Sequence, residues 1–77
     1  MQIRIVFTGT PFIDGLSSGD SIELEEGLSI KELLLRFHVE ERFHLFIVPM
    51  IHGEYRDPET LLHDQDELTL FLPVSGG

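Results

Sequence analysis

The sequence contains no cysteine. No disulfide or thiolate-held metal can staple it, so the fold must stand on its apolar core and backbone pairing. Basic side chains are scarce too: Lys and Arg number 5 against 14 Asp and Glu, a formal net charge of −9. A surface of that sign repels phosphate backbones and anionic lipid. Nucleic acid and membranes are therefore set aside as partners. Basic proteins are favoured, with the attraction acting mainly on encounter rate. Lys31 is the only lysine. No apolar run approaches the roughly 20 residues that cross a bilayer. Met1-Gln2-Ile3-Arg4 does not open a signal-peptide pattern, and a soluble cytoplasmic protein is expected. There is no Gly-Lys-Ser/Thr phosphate loop, so any ATP chemistry belongs to a partner. The histidines at 38, 44, 52 and 63 lack the close spacing of a zinc site. Asp64-Gln65-Asp66-Glu67 is too short for a calcium loop and lacks its glycine. No metal site is expected.

What is present is one small domain. A 77-residue chain with 42% apolar residues is too hydrophobic to be disordered and too short for two cores. Ile3, Ile5 and Phe7 alternate with Gln2, Arg4 and Val6, the pattern of a half-buried strand. Gly9-Thr10-Pro11, Asp14-Gly15 and Ser17-Ser18-Gly19-Asp20 are turn clusters, with Phe12, Ile13 and Leu16 available to pin the connection to the core. Ser21 to Leu24 reads as a second strand, hairpinned to the first. Ser29 followed by Glu32 is a capping-box pattern. Ile30, Leu33, Leu34 and Phe37 then form one apolar helical face, Phe37 being its largest member, which predicts a helix over 30–38. Leu35 is left half exposed. Phe43 to Val48 is apolar and β-prone and predicts a third strand, limited or marked as an edge by Pro49. Met50 to Tyr55, turning near His52-Gly53, predicts another short strand or a hairpin arm. Asp57-Pro58-Glu59-Thr60 is a turn, Leu61 and Leu62 are expected to plug the core from a helical turn, and Asp64-Gln65-Asp66 leads into the last strand.

That strand carries the functional signal. Leu68, Leu70 and Leu72 alternate with Thr69 and Phe71, and Pro73 ends backbone pairing because it has no N–H. Val74, Ser75, Gly76 and Gly77 follow. A Gly-Gly end without side chains is the thinnest peptide that can enter a narrow slot, and it presents a bare carboxylate. Residues 1–72 are read as the domain and 73–77 as a flexible tail. The element order, two strands, a helix and further short strands, permits the first and last strands to pair in parallel through a crossover. The expected fold is α+β: a β-grasp (ubiquitin-like) domain, a mixed sheet with one main helix packed on it.

The end Leu70-Phe71-Leu72-Pro73-Val74-Ser75-Gly76-Gly77, with the acidic turn Asp64-Gln65-Asp66-Glu67-Leu68 upstream, resembles the MoaD/ThiS family of sulfur carriers, most of all the molybdopterin synthase small subunit. The resemblance implies a non-catalytic carrier. A ubiquitin-activating-enzyme-like adenylyltransferase would use ATP and Mg²⁺ to adenylate Gly77, and a sulfur donor would convert the adenylate to a thiocarboxylate. The sulfur would then pass to a precursor held by a larger synthase subunit in molybdopterin (molybdenum cofactor) biosynthesis. It also implies that Phe71, Pro73, Val74, Ser75 and Gly76 form the partner-binding tail, with Phe71 assigned to either the docking face or the core. A thiamine-pathway carrier, a ubiquitin-like protein modifier and a plain β-grasp interaction module are the alternatives. Three positions depart from the family pattern: Leu72 in place of a proline, Gln65 in place of glycine, and His52 in place of asparagine. Gln65 disfavours a positive φ in its turn.

Overall fold

Alternation in the first strand sends Ile3, Ile5 and Phe7 to one side of a sheet and Arg4 and Val6 to the other, and the rest of the molecule is assembled against the first of these sides. The computed structural model describes residues 1–8, 16–44 and 46–71. Its elements are β1 (Gln2–Thr8), β2 (Asp20–Glu23), α1 (Ile30–Arg36), α2 (Glu41–His44), β3 (Val48–Ile51), β4 (Glu54–Tyr55) and β5 (Glu67–Phe71). The strands form one mixed sheet in the order β2-β1-β5-β3-β4. β1 pairs antiparallel with β2 and parallel with β5, with Ile5 beside Leu68 and Phe7 beside Leu70. β3 pairs antiparallel with both β5 and β4. The parallel central pair therefore forms as the element order allowed.

Helix α1 covers the core side of the sheet. Ile30, Leu33 and Leu34 join Ile3, Ile5, Leu62, Leu68 and Leu70, all at 2% exposure or less. Each such aliphatic side chain gains about 1.5–3 kcal/mol on transfer from water. The helix start is fully provided for. Ser29 Oγ accepts the Glu32 N–H and Glu32 Oε1 accepts the Ser29 N–H, both at 3.1 Å, while Thr60 and Pro58 carbonyls accept the N–H groups of Ile30 and Lys31. Those are the donors that a helix leaves without internal partners.

The helix ends earlier than its apolar pattern suggests. Arg36 is its last residue, Phe37 caps it, and His38 turns left-handed at φ 64°. The N–H groups of His38 and Val39 return to the carbonyls of Leu35 and Leu34, and buried Val39 sits close to buried Leu34. This is a Schellman stop built on histidine in place of glycine. Consequently Phe37 only packs against the rim of the core, and Ile30, Leu33 and Leu34 fill it. Leu35 is half exposed, as its position on the helix requires.

The expected strand over 43–48 is not formed. Phe43 lies in α2, and the chain then turns through N–H bonds from Phe46 to Phe43 and from Ile47 to His44. His44 Nε2 lies 2.8 Å from the Val39 carbonyl, tying the short helix back to the end of α1. These local bonds take up the backbone that a strand needs, and β3 starts only at Val48. Pro49 then sits inside β3, beside Leu70 of β5. Its carbonyl accepts the Arg56 N–H on the β4 side, so its missing N–H also faces that side, past the end of the two-residue β4. Leu62 plugs the core but Leu61 is half exposed; an isolated bridge between Ser29 and Leu61 replaces the expected helical turn.

Two turns are set by positive φ. His52 and Gly53, at 52° and 81°, form the two-residue link between β3 and β4, the geometry of a type I′ hairpin. Gln65 adopts φ 72°, against the expectation from its side chain. Long-range bonds hold it there: the Gln65 N–H donates to the Gln2 carbonyl at 2.8 Å and the Gln2 N–H to Asp64 Oδ1 at 2.7 Å. Of the connection between β1 and β2, Leu16 packs on the core, while Phe12 and Ile13 lie outside the described residues.

Candidate functional site

The second side of the sheet is the candidate site. Leu68 and Leu70 point into the core, so Glu67, Thr69 and Phe71 point out. Phe71 is 39% exposed, which assigns it to the outer face. Register places Val48 beside Phe71, Val6 and Met50 beside Thr69, and Tyr55 beside Met50. Residues side by side in a ladder point the same way. Val6, Val48 and Met50 are half-buried, and Tyr55 is 63% exposed. The end of β5 thus stands in an apolar field on the outer face.

The same face becomes polar toward the start of β5. Arg4 Nη1 and Glu67 Oε2 lie 3.7 Å apart, and His52 Nε2 lies 3.5 Å from Asp66 Oδ1. With Gln2, Ser21 and Gln65 they line a shallow open concavity. Polar at one end and apolar at the other, the face can orient a partner along β5, with its apolar end at Phe71, the last described residue.

Of the site residues expected from sequence, Phe71 is in place at the end of β5. Pro73, Val74, Ser75, Gly76 and Gly77 lie outside the described residues, as does Leu72. Two aromatics escaped the sequence reading. Phe43 and Phe46 are 46% and 61% exposed, and Arg42 stacks 4.9 Å from the Phe43 ring centroid. Phe46 precedes Val48, the ladder partner of Phe71, by two residues. A strand reading had hidden them; the signal that could have exposed them is Glu40-Glu41-Arg42, a charged run unlike a buried strand.

Ion pairs fix the helix side. Lys31 Nζ lies 2.9 Å from Glu41 Oε1 and 4.0 Å from Glu59 Oε1. Hydrogen bonding to Glu41 raises the Lys31 pKa, and the same contact lowers that of Glu41. Arg36 grips both oxygens of Glu25, holding that carboxyl down at about 2. At the chain start, the Met1 amine donates to the Leu24 carbonyl at 2.6 Å and pairs with Glu23 Oε2 at 2.9 Å. Among the described residues no group of three or more His, Cys, Asp or Glu side chains could hold a metal ion, and no helix is long and apolar enough to cross a membrane.

No protein-family model and no curated protein matches the chain. Solved structures do. SAMP1 from Haloferax volcanii aligns over 100% of both chains at 20% identity with a TM-score of 0.73. A chain of the complex of subunits 1 and 2 of molybdopterin-converting factor from Helicobacter pylori aligns over 100% of both chains at 23% identity with a TM-score of 0.62. At such identities the likeness is one of fold, and it agrees with the resemblance carried by the end of the sequence. The fold is the ubiquitin-like β-grasp.

Proposed function

We propose that this chain is a ubiquitin-like sulfur carrier of the MoaD/ThiS type, and that it serves as the small, non-catalytic subunit of a molybdopterin synthase. The observation that carries the reading is the junction at Phe71. The outer face turns apolar at the last described pair of β5, Val48 beside Phe71, and Pro73-Val74-Ser75-Gly76-Gly77 follows in sequence after one intervening residue, Leu72. A partner seated on that face would receive the tail at its own active site. The full-length fold match to a chain of a two-subunit molybdopterin-converting factor supports a small-subunit reading.

The chemistry asks little of the domain. An α-carboxylate with a pKa of about 3.3–3.7 is ionised at neutral pH and a poor electrophile. In this reading a ubiquitin-activating-enzyme-like adenylyltransferase, using ATP and Mg²⁺, joins the Gly77 carboxylate to AMP and releases pyrophosphate. A sulfur donor then displaces AMP and leaves a thiocarboxylate. Gly76 lets the tail pass through a narrow channel, and Pro73 and Val74 stiffen its base.

The test is intact mass after co-expression with such an activating enzyme. Conversion of the carboxylate to the thiocarboxylate adds the mass difference between one sulfur and one oxygen. Deleting Gly77 withdraws the carboxylate by one residue, about 3.3–3.6 Å of extended chain. A misplacement of 1 Å can cost roughly a hundredfold in rate, so the truncated form should stay unmodified and folded. Wild-type protein that never gains the mass, or that gains lysine adducts of other proteins in its place, would reject the carrier reading; the second result would favour a protein modifier.

A further inference from the structure

An activated acyl group is dangerous to its own carrier. An adenylated Gly77 would react with any free amine in reach. In that side reaction an amine nitrogen bonds to the Gly77 carbonyl carbon, the bond to AMP breaks with its electrons leaving on the phosphate, and the amine's proton passes to water. The attack needs an uncharged nitrogen with a free lone pair. The sequence offers two primary amines, the Met1 α-amine and the side chain of Lys31.

We propose that Glu23, Glu41 and Glu59 withhold these two amines from acylation, so that the activated carboxyl terminus has no acceptor within its own kind and is passed on to sulfur or to a partner. The inference rests on the carrier reading above for its purpose, though not for its chemistry.

The Met1 amine is the more reactive group in an ordinary chain, because an α-amine with a pKa of about 7.7–8.0 is partly uncharged at neutral pH. Here it is tied twice, to the Leu24 carbonyl and to Glu23, while the Leu24 N–H returns to the Met1 carbonyl at 2.8 Å. Glu23 is fixed in turn by a 3.0 Å bond from Gln2 Nε2. The Glu23 bond raises the pKa of the amine most; burial works against it, and the negative charges of Glu23, Glu26 and Asp64 add to the rise. To attack, the amine must shed a proton that this surrounding holds and break a 2.6 Å bond at the edge of β1.

Lys31 is held differently. It projects from the first turn of α1, and the carboxylates that face it come from two other segments, α2 and the 57–60 turn. The Lys31 N–H is bonded to Pro58 and the Thr60 N–H to Asp57, which fixes the turn that carries Glu59 against the helix. The side chain is 36% exposed, so the block is electrostatic and not steric. A lysine that is already charged at neutral pH becomes less available still when its proton is shared with a carboxylate.

The experiment uses the purified protein and acetic acid N-hydroxysuccinimide ester as the acylating probe at pH 7.5, with sites and rates read by intact mass and peptide mapping. References are a free peptide of residues 1–6 for Met1 and an N-acetyl-lysine amide for Lys31. Both positions should acylate several-fold slower than their references. Glu23→Gln should speed Met1 alone, and the pair Glu41→Gln and Glu59→Gln should speed Lys31 alone, with circular dichroism confirming that each variant is folded. Should Glu23→Gln not fold, Gln2→Ala, which frees Glu23 from its tether, replaces it and should speed Met1. Reference rates in the wild-type protein, or variant rates equal to wild type, would overturn the proposal. Because no activating enzyme takes part, failure here is separate from failure of Gly77 to gain sulfur.

Discussion

Leu33 and Phe37 stand one helical turn apart, and the structure ranks them in the opposite order to their size. Leu33 is fully enclosed between α1 and the sheet, whereas Phe37 is the helix cap and touches only the rim of the core. Truncating a buried leucine to alanine costs about 2–5 kcal/mol, from lost transfer energy and the cavity left behind. Leu33→Ala belongs in the upper half of that range, because Leu33 is completely buried in the core cluster that holds Ile3, Ile5, Leu68 and Leu70. Phe37→Ala would cost about 3–5 kcal/mol if the ring were central. At this partly buried position against the core, about 1–2 kcal/mol is expected. The Phe37 N–H still donates to the Leu33 carbonyl after truncation, so the helix stop survives.

Urea denaturation separates the two. A small domain has a stability of about 5–15 kcal/mol and an m-value of about 1–3 kcal/mol per molar urea. Leu33→Ala should therefore lower the midpoint by more than about 1 M, and Phe37→Ala by clearly less, with m unchanged in both. The double variant should lose less than the sum, since neighbours at i and i+4 share packing. A Phe37→Ala loss equal to or larger than that of Leu33→Ala would refute the placement of the helix end at Arg36 and of the core on Leu33.

Three further outcomes follow from other parts of the molecule. Gln65→Gly should raise the melting temperature, with a gain of up to about 1 kcal/mol, because φ 72° strains a side chain that glycine lacks; an unchanged or lower melting point would mean the turn relaxes at no cost. The Glu25–Arg36 pair should make stability fall in acid: a folded pKa of about 2 lies below the unfolded value of about 4.3, so the contribution is complete above pH 4–5 and fades as pH drops toward 2. Glu25→Gln should flatten that part of the stability–pH curve, and an identical curve would remove the pair from the account. If the proposed function holds, Phe71→Ala should weaken binding to a larger synthase subunit by about tenfold or more while changing the urea midpoint little, as for an exposed aromatic anchor; calorimetry giving wild-type affinity would take Phe71 out of the docking face.

The parts of this fold that were legible in the sequence are those where a local pattern and a tertiary demand coincide. Ile3, Ile5 and Phe7 alternate and are buried; Ser29 and Glu32 are spaced for a capping box and form one. The parallel pairing of β1 with β5 was legible only as a permission, since nothing local joins residues 63 positions apart. What was missed was decided by competition. At Phe43 to Val48, β-propensity lost to backbone bonds made within the segment itself and to the tie between His44 and Val39. At Gln65, intrinsic preference lost to hydrogen bonds with Gln2 at the start of the chain, which a window around residue 65 does not contain. At His38, a Schellman stop formed on an unfavoured residue because Val39 gains burial beside Leu34.

The candidate site divides along the same line. The chemistry proposed for it lies in the order of residues after Phe71, which a sequence displays without any assembled neighbours. Its recognition surface is spread over β1, β3, β4 and β5, and the residues that compose it, Val6, Val48, Met50, Tyr55 and Phe71, share no spacing along the chain. Only the register brings them onto one face. Phe71 is the residue where the two descriptions meet: in sequence it is the last aromatic before Pro73, and in the sheet it is the exposed end of a strand paired on both sides. On the proposed carrier reading, a group borne on Gly77 would be connected through Phe71 to the central parallel pair, and a partner docking on the outer face would meet the residues after Phe71 at a fixed origin.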